Sequence, residues 1–285
     1  PCPYSIHSKI KGRAMIRLPI FVALVVGLAA PAMSQEATRK IHPVKGDVYL
    51  FQNNFHMSLI VPTSEGTVRV DPINAEAGAW LNENLSSITD QPVTHLIYSH
   101  SHGDHASGGS AHEGAMVIAH ENAPAEIDGV APDMRVGDSE SFEHGGKTFE
   151  LTYLGPGHGK DMLAVVLRPE NVAFIVDVAA PKRLFYQNFG GANLDDWEAQ
   201  IEKARTLDFE VFAPGHGNVG TKADLDEVLV YMQDLRSGVQ AGLDAGKSVD
   251  EIKSDMLDSD YNDWMQYEAW RPLNIEGMAA FLQGS

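Results

Sequence analysis

The feature that most constrains this chain is His100-Ser101-His102-Gly103-Asp104-His105, which places three imidazoles and a carboxylate within six residues. It follows the apolar run Val93-Thr94-His95-Leu96-Ile97-Tyr98, whose length and composition read as a buried strand, and Gly103 marks a turn. Residues two apart in extended backbone point the same way, so His100 and His102 can reach one metal ion together. Asp104 and His105 stand where a helix would begin, aimed at a second point nearby. Imidazole nitrogen with carboxylate oxygen suits zinc, and such a site with an open coordination position is catalytic rather than structural.

Further candidate ligands stand in turns that follow apolar runs. His158 lies in Gly155-Pro156-Gly157-His158-Gly159 and His216 in Ala213-Pro214-Gly215-His216-Gly217, where glycine permits close backbone approach. Asp177 ends the run Val172-Ala173-Phe174-Ile175-Val176. His100, His102 and His158 would hold a first ion; Asp104, His105 and His216 would hold a second, with Asp177 bridging or joining it. Two zinc ions per chain, about 3.5–4 Å apart, could share a hydroxide of lowered pKa that attacks a carbonyl carbon, with Asp104 orienting it. Asp71, ending Thr67-Val68-Arg69-Val70, is placed to accept a hydrogen bond from a ligand imidazole. Of the other histidines, His95 reads as a core residue, His120 as an outer group and His56 as a residue near the mouth.

The chain around these turns is strand-rich and then helical. Short β-type runs are expected at 47–51, 57–61, 67–70, 93–98, 115–119, 148–154, 162–167, 172–176 and 209–212, the runs at 162–167 and 172–176 forming a hairpin. Apolar spacing predicts helices over 75–85, 123–127 and 195–207, the last capped by Asp195, and 129–146 reads as a loop with one short strand. From about residue 221 the pattern is helical to the end, with a last helix near 275–282. Strands with intervening helices, given twice, predict two packed sheets with helices outside, in one domain over 35–285.

Residues 1–34 read as a presequence. Lys9, Lys11, Arg13 and Arg17 precede an apolar run from Leu18 to Ala30, and small residues follow, the order of a secretory signal cleaved after Ala32 or Ser34. The run is shorter than the roughly 20 apolar residues of a membrane span, so no membrane contact is expected after cleavage, and the product would be periplasmic or secreted. Its single cysteine, Cys2, would be lost, which leaves only His, Asp and Glu to build a metal site. The formal charge of −18 disfavours a nucleic-acid partner and leaves a small-molecule substrate as the expectation.

The residues H-x-H-x-D-H at 100–105, with His158, Asp177 and His216, resemble the signature of the metallo-β-lactamase superfamily over about residues 42–220. The resemblance implies an αβ/βα sandwich with a dinuclear site on the shared edge of two mixed sheets. Gly155-Pro156-Gly157-His158 with Asp161-Met162-Leu163-Ala164-Val165-Val166 resembles the G-P-G-H-T-x-D-N-x-V-V run of the β-lactamases that use a cysteine ligand. Asn188-Phe189-Gly190-Gly191-Ala192-Asn193 with Trp197 resembles the stretch leading to their last ligand. Where those enzymes have G-C-x-x-K, this chain has Val176-Asp177-Val178-Ala179-Ala180, so Asp177 replaces the cysteine as in glyoxalase II and lactonases. The lysine that grips a β-lactam carboxylate is absent at Ala180, and Lys182, Arg183 and Asn193 are the candidates to supply substrate contacts instead.

These observations lead to an exported dinuclear zinc hydrolase of a cyclic amide or ester, with β-lactams as one substrate. A thioester hydrolase or lactonase of the same superfamily is the alternative within that class. A mononuclear iron dioxygenase, needing only two His and an Asp, is the alternative of another class, and metal content separates them.

Overall fold

The computed structural model describes residues 37–284, so the expected presequence lies outside the described residues. The chain opens with four strands, β1 (Arg39–Lys45), β2 (Val48–Asn53), β3 (His56–Thr63) and β4 (Gly66–Val70), each antiparallel to the one before. Helix α1 (Ala75–Asn84) then crosses to β5 (Val93–Ile97), which pairs parallel with β4. After the short α2 (Gly103–Ala106) come β6 (Met116–His120) and β7 (Met134–Val136), both parallel additions that complete a seven-stranded sheet in chain order.

The second sheet starts with β8 (Ser139–His144), β9 (Lys147–Tyr153), β10 (Leu163–Arg168) and β11 (Val172–Ile175), joined antiparallel. Helix α3 (Leu194–Thr206) leads to β12 (Val211–Pro214), parallel to β11, and β13 (Gly220–Thr221) closes the six-stranded sheet. Helices α4 (Ala223–Asp244), α5 (Val249–Asp255) and α6 (Tyr267–Leu282) cover its outer face. Among the described residues, no helix is long and apolar enough to cross a membrane.

Two-residue alternation decides which layer each side chain joins. On β10, Leu163, Val165 and Leu167 enter the core between the sheets, while Ala164 and Val166 face the helices. On β2, Leu50 points between the sheets and Phe51 outward, where it stacks on Trp80 of α1 at 5.3 Å. The result is two packed sheets with helices outside, as the pattern predicted, in the αβ/βα sandwich that the resemblance implied.

Four local expectations are corrected. Residues 123–127 are turn, not helix: Arg135 takes the carbonyls of Ala123, Pro124 and Ala125, which a helix would need for itself. The stretch 129–146 holds two strands, β7 and β8, one in each sheet. Helix α3 is capped by Asn193, whose side chain accepts from the N–H groups of Asp195 and Asp196. The last helix begins at Tyr267 and carries Pro272 in its second turn, so 275–282 is only its end.

Candidate metal centre

Asp71 follows β4, the His100–His105 stretch follows β5, His158 follows β9, Asp177 follows β11 and His216 follows β12. Within each sheet these strands run the same way, so each sheet delivers its residues to one edge. A 2.7 Å hydrogen bond from Leu163 N–H to the Ser99 carbonyl joins the two sheets there. Asp71 and Asp177 sit at φ +65° and +59°, a left-handed backbone that side chains seldom adopt and that marks functional turns.

Two groups of donor atoms form, each within 4.8 Å: His100, His102, His158 and Asp177, and His56, Asp104, His105 and His216. Asp177 faces both. Its Oδ2 lies 3.7 Å from His100 Nε2 and 3.3 Å from His158 Nε2, while Oδ1 lies 3.6 Å from His105 Nε2 and 3.1 Å from His216 Nε2. His102 Nδ1 stands 3.0 Å from His158 Nε2, and His105 Nε2 stands 3.1 Å from His216 Nε2.

The outer hydrogen bonds fix which imidazole nitrogens are bare. The Ser99 hydroxyl has one proton and donates it to Asp71 Oδ2, so it accepts from His100 Nδ1 at 2.9 Å, leaving His100 Nε2 as a lone pair. His216 Nδ1 donates to the Phe55 carbonyl at 2.6 Å, which leaves its Nε2 bare. His105 Nδ1 lies 3.4 Å from Asp71 Oδ2, the outer carboxylate contact expected of Asp71. Among the described residues, buried His100 Nε2 and Asp177 Oδ1 have no hydrogen-bond partner. Bare nitrogens and carboxylate oxygens gathered in this way fit divalent cations of the zinc type.

The electrostatics agree. Burial, reinforced by the neighbouring imidazoles, holds His100 well below its ordinary pKa and in the neutral ligand form. Burial opposes ionisation of Asp177, but His105, His158 and His216 outweigh it and keep the carboxylate charged. The His56 contact lowers Asp104 in the same sense. For His105, burial is overcome by Asp177 and Asp71, which raise it to about 10. A metal ion taken up beside it therefore displaces a proton.

Buried Gln200 of α3 shapes the His158 turn: its Oε1 accepts from His158 N–H at 2.9 Å, and its amide donates to the carbonyls of Gly155 and Gly159. Gly157, at φ +155°, leaves no room there for a Cβ.

Above the two groups lies a cavity of about 820 Å³ whose lining includes His56, His102, Asp104, His158, Asp177 and His216. Its other wall is largely aromatic, from Phe185, Tyr186, Phe189 and Trp197 together with Trp270 of α6. Arg183 enters this wall with its guanidinium 4.7 Å from the Trp270 ring centre. Burial lowers the Arg183 pKa, countered by Asp177, and among the described residues Arg183 pairs with no carboxylate. Lys182 and Asn193 do not line the cavity: Lys182 is exposed, and the Asn193 side chain is committed to capping α3. His56 is the residue the sequence reading underrated. Its signal was available in the turn Asn53-Asn54-Phe55-His56, but a hairpin tip does not state which distant loop it touches.

Two sheets with helices outside and a His/Asp cluster on their common edge define the metallo-β-lactamase fold. A metallo-beta-lactamase from Pontibacter korlensis superposes with TM-score 0.59 at 24% identity, covering 69% of this chain and 99% of that one. A double mutant of the sec-alkyl sulfatase PisA1 superposes with TM-score 0.70 at 16% identity, covering 86% of this chain. The chain spans 50% of that sulfatase's length. No family model and no curated protein matches the sequence.

Proposed function

We propose that the chain is an exported, zinc-dependent hydrolase of small molecules, acting on a cyclic amide or ester, with β-lactams among its substrates. The observation that carries this reading is Asp177, whose two carboxylate oxygens each face one imidazole group. Bound there, two zinc ions would polarise the scissile carbonyl and lower the pKa of a water molecule. The chain's own groups do the remainder. Asp104, held ionised by His56 and half exposed to the cavity, accepts a hydrogen bond from the attacking water and orients it. Arg183 takes an anionic substituent of the substrate, and the aromatic wall excludes water and holds an apolar one. The paired groups favour a hydrolase over a mononuclear iron dioxygenase, which would leave the second group idle.

A sulfate ester is the second reading. The match to the alkyl sulfatase covers a share of the chain that cannot be reached without part of the C-terminal helices, and those helices supply Trp270 to the cavity. Thioesters and lactones remain within the same chemistry, and the acidic chain disfavours nucleic acid.

The test is turnover of a chromogenic cephalosporin by zinc-loaded protein beside a His102→Ala control, with zinc counted per chain. Turnover lost in the control supports the β-lactam reading. Zinc-loaded protein inactive on cephalosporins but releasing sulfate from a secondary alkyl sulfate supports the second. Iron near one per chain, without hydrolysis, overturns both. Export is read separately from the mature N-terminus in a periplasmic or secreted fraction by mass spectrometry.

A further inference from the structure

We propose that His56 is a ligand of the second metal centre, a fourth protein donor beside Asp104, His105 and His216, delivered by a hairpin that is bolted to the His216 turn. This rests on the metal-centre reading above. His56 Nε2 lies 3.4 Å from Asp104 Oδ2, and its ring centre is 4.8 Å from that of His216 and 5.4 Å from that of His105. All four donor atoms fall within 4.8 Å of one another, a compact set of three nitrogens and one oxygen of the kind zinc accepts.

The placement of His56 is not that of a wandering loop residue. The tip between β2 and β3 is tied to the His216 turn twice: His216 Nδ1 donates to the Phe55 carbonyl at 2.6 Å, and Met57 N–H donates to the Gly215 carbonyl at 2.8 Å. The same hydrogen bond that frees His216 Nε2 for a metal therefore positions the residue before His56. Asn54, at φ +55°, makes the turn, and its side chain accepts from Thr38 N–H at 2.9 Å. The His56 side chain remains 26% exposed, on the cavity side, so an ion at the second group is reached from bulk solvent past it.

His56 changes the donor count of the second group. Asp104, His105 and His216 alone supply three protein donors, and His56 makes a fourth, as many as His100, His102, His158 and Asp177 supply at the first. Loss of affinity for one of the two ions on removing His56 is the measurable effect.

The experiment titrates zinc against a chelator and records cobalt(II) absorption spectra for the full chain, His56→Ala, His56→Gly and His144→Ala, the last a histidine remote from the centre. Expected are two zinc per chain in the wild type and in His144→Ala. In His56→Ala the affinity for one of the two should fall roughly 10-fold or more. The cobalt bands of that site should shift and change in intensity, and added imidazole should restore them in His56→Gly. Unchanged affinity overturns the proposal. So does weakened affinity with unmoved cobalt bands, which would make His56 only a hydrogen-bond partner of Asp104. Failure of the wild type itself to bind zinc would instead defeat the metal-centre reading, so the two failures are told apart.

Discussion

The carboxylate of Asp71 holds Ser99 by two hydrogen bonds of 2.7 Å, one from its N–H and one from its hydroxyl. Because the hydroxyl proton is spent on Asp71, Ser99 can only accept from His100, and the metal-facing tautomer of His100 follows from a residue that does not touch it. Asp71→Ala strands the Ser99 N–H in a buried site and removes the carboxylate beside His105. Zinc affinity should fall about 10- to 100-fold. The loss of stability should be about 1–3 kcal/mol, the cost of an unsatisfied buried donor. Asp71→Asn should recover much of the stability and little of the affinity. Chelator competition and thermal unfolding, run side by side, check both.

Much of this edge is legible in the sequence because the candidate ligand residues there follow strands directly, and strand periodicity is a local property. The turns at His100–His105, His158, Asp177 and His216 are each set by residues adjacent in the chain, and the structure brings all seven named side chains together. What escaped was set by distant partners. His56 is placed by Gly215 and His216, some 160 positions on. The 123–127 turn is decided by Arg135, and the cavity-lining cation is selected by Trp270 of α6. No local pattern announces which of Lys182 and Arg183 meets that helix.

His112 gives the protein an acid-side sensitivity independent of the metal centre. It is buried against the Arg69 guanidinium, and burial followed by that positive charge lowers its pKa to about 3. In the unfolded chain the same group titrates near 6.5. At pH above 6.5 both states are neutral and nothing is gained or lost. As pH falls from 6.5 towards 3 the unfolded state alone takes the proton, so stability declines across that window. His112→Gln should flatten this part of the pH–Tm curve while leaving zinc content unchanged.

Arg183 is the cation on the aromatic side of the cavity, stacked on Trp270 and free of any carboxylate partner among the described residues. With an anionic substrate, Arg183→Ala should raise KM about 10- to 100-fold, the worth of a hydrogen bond to a charged group, and change kcat little. Arg183→Lys should recover part of that, because the charge returns without the flat stacking face. A neutral substrate analogue should show no such loss, and equal loss for both analogues would point to a collapsed pocket.

Gly215 sits where a Cβ would run into the Val176 side chain and come within 3.1 Å of His105 Cε1. Gly215→Ala must therefore push the His216 turn away from β11, shifting Asp177 and His216 relative to each other. The expected outcome is a folded protein that keeps its first zinc and loses the second, seen as stoichiometry falling from two to one in equilibrium dialysis.

Asp177 couples proton and metal. Burial alone would keep His105 neutral, yet Asp177 and Asp71 raise its pKa to about 10 in the metal-free protein. Because the folded pKa lies above the unfolded one, this interaction stabilises the metal-free fold fully below about pH 6.5 and is lost as pH rises through about 10. Zinc entering the second group must expel that proton, so calorimetry at pH 8 in buffers of differing ionisation enthalpy should register proton release. Asp177→Asn removes the largest charge favouring the His105 proton and leaves burial to dominate. Proton release at pH 8 should then fall by the share that His105 contributes, and zinc should bind more weakly at both groups, since each faces one oxygen of the same carboxylate. Proton release as large in the variant as in the wild type would mean that Asp71 alone holds the His105 charge.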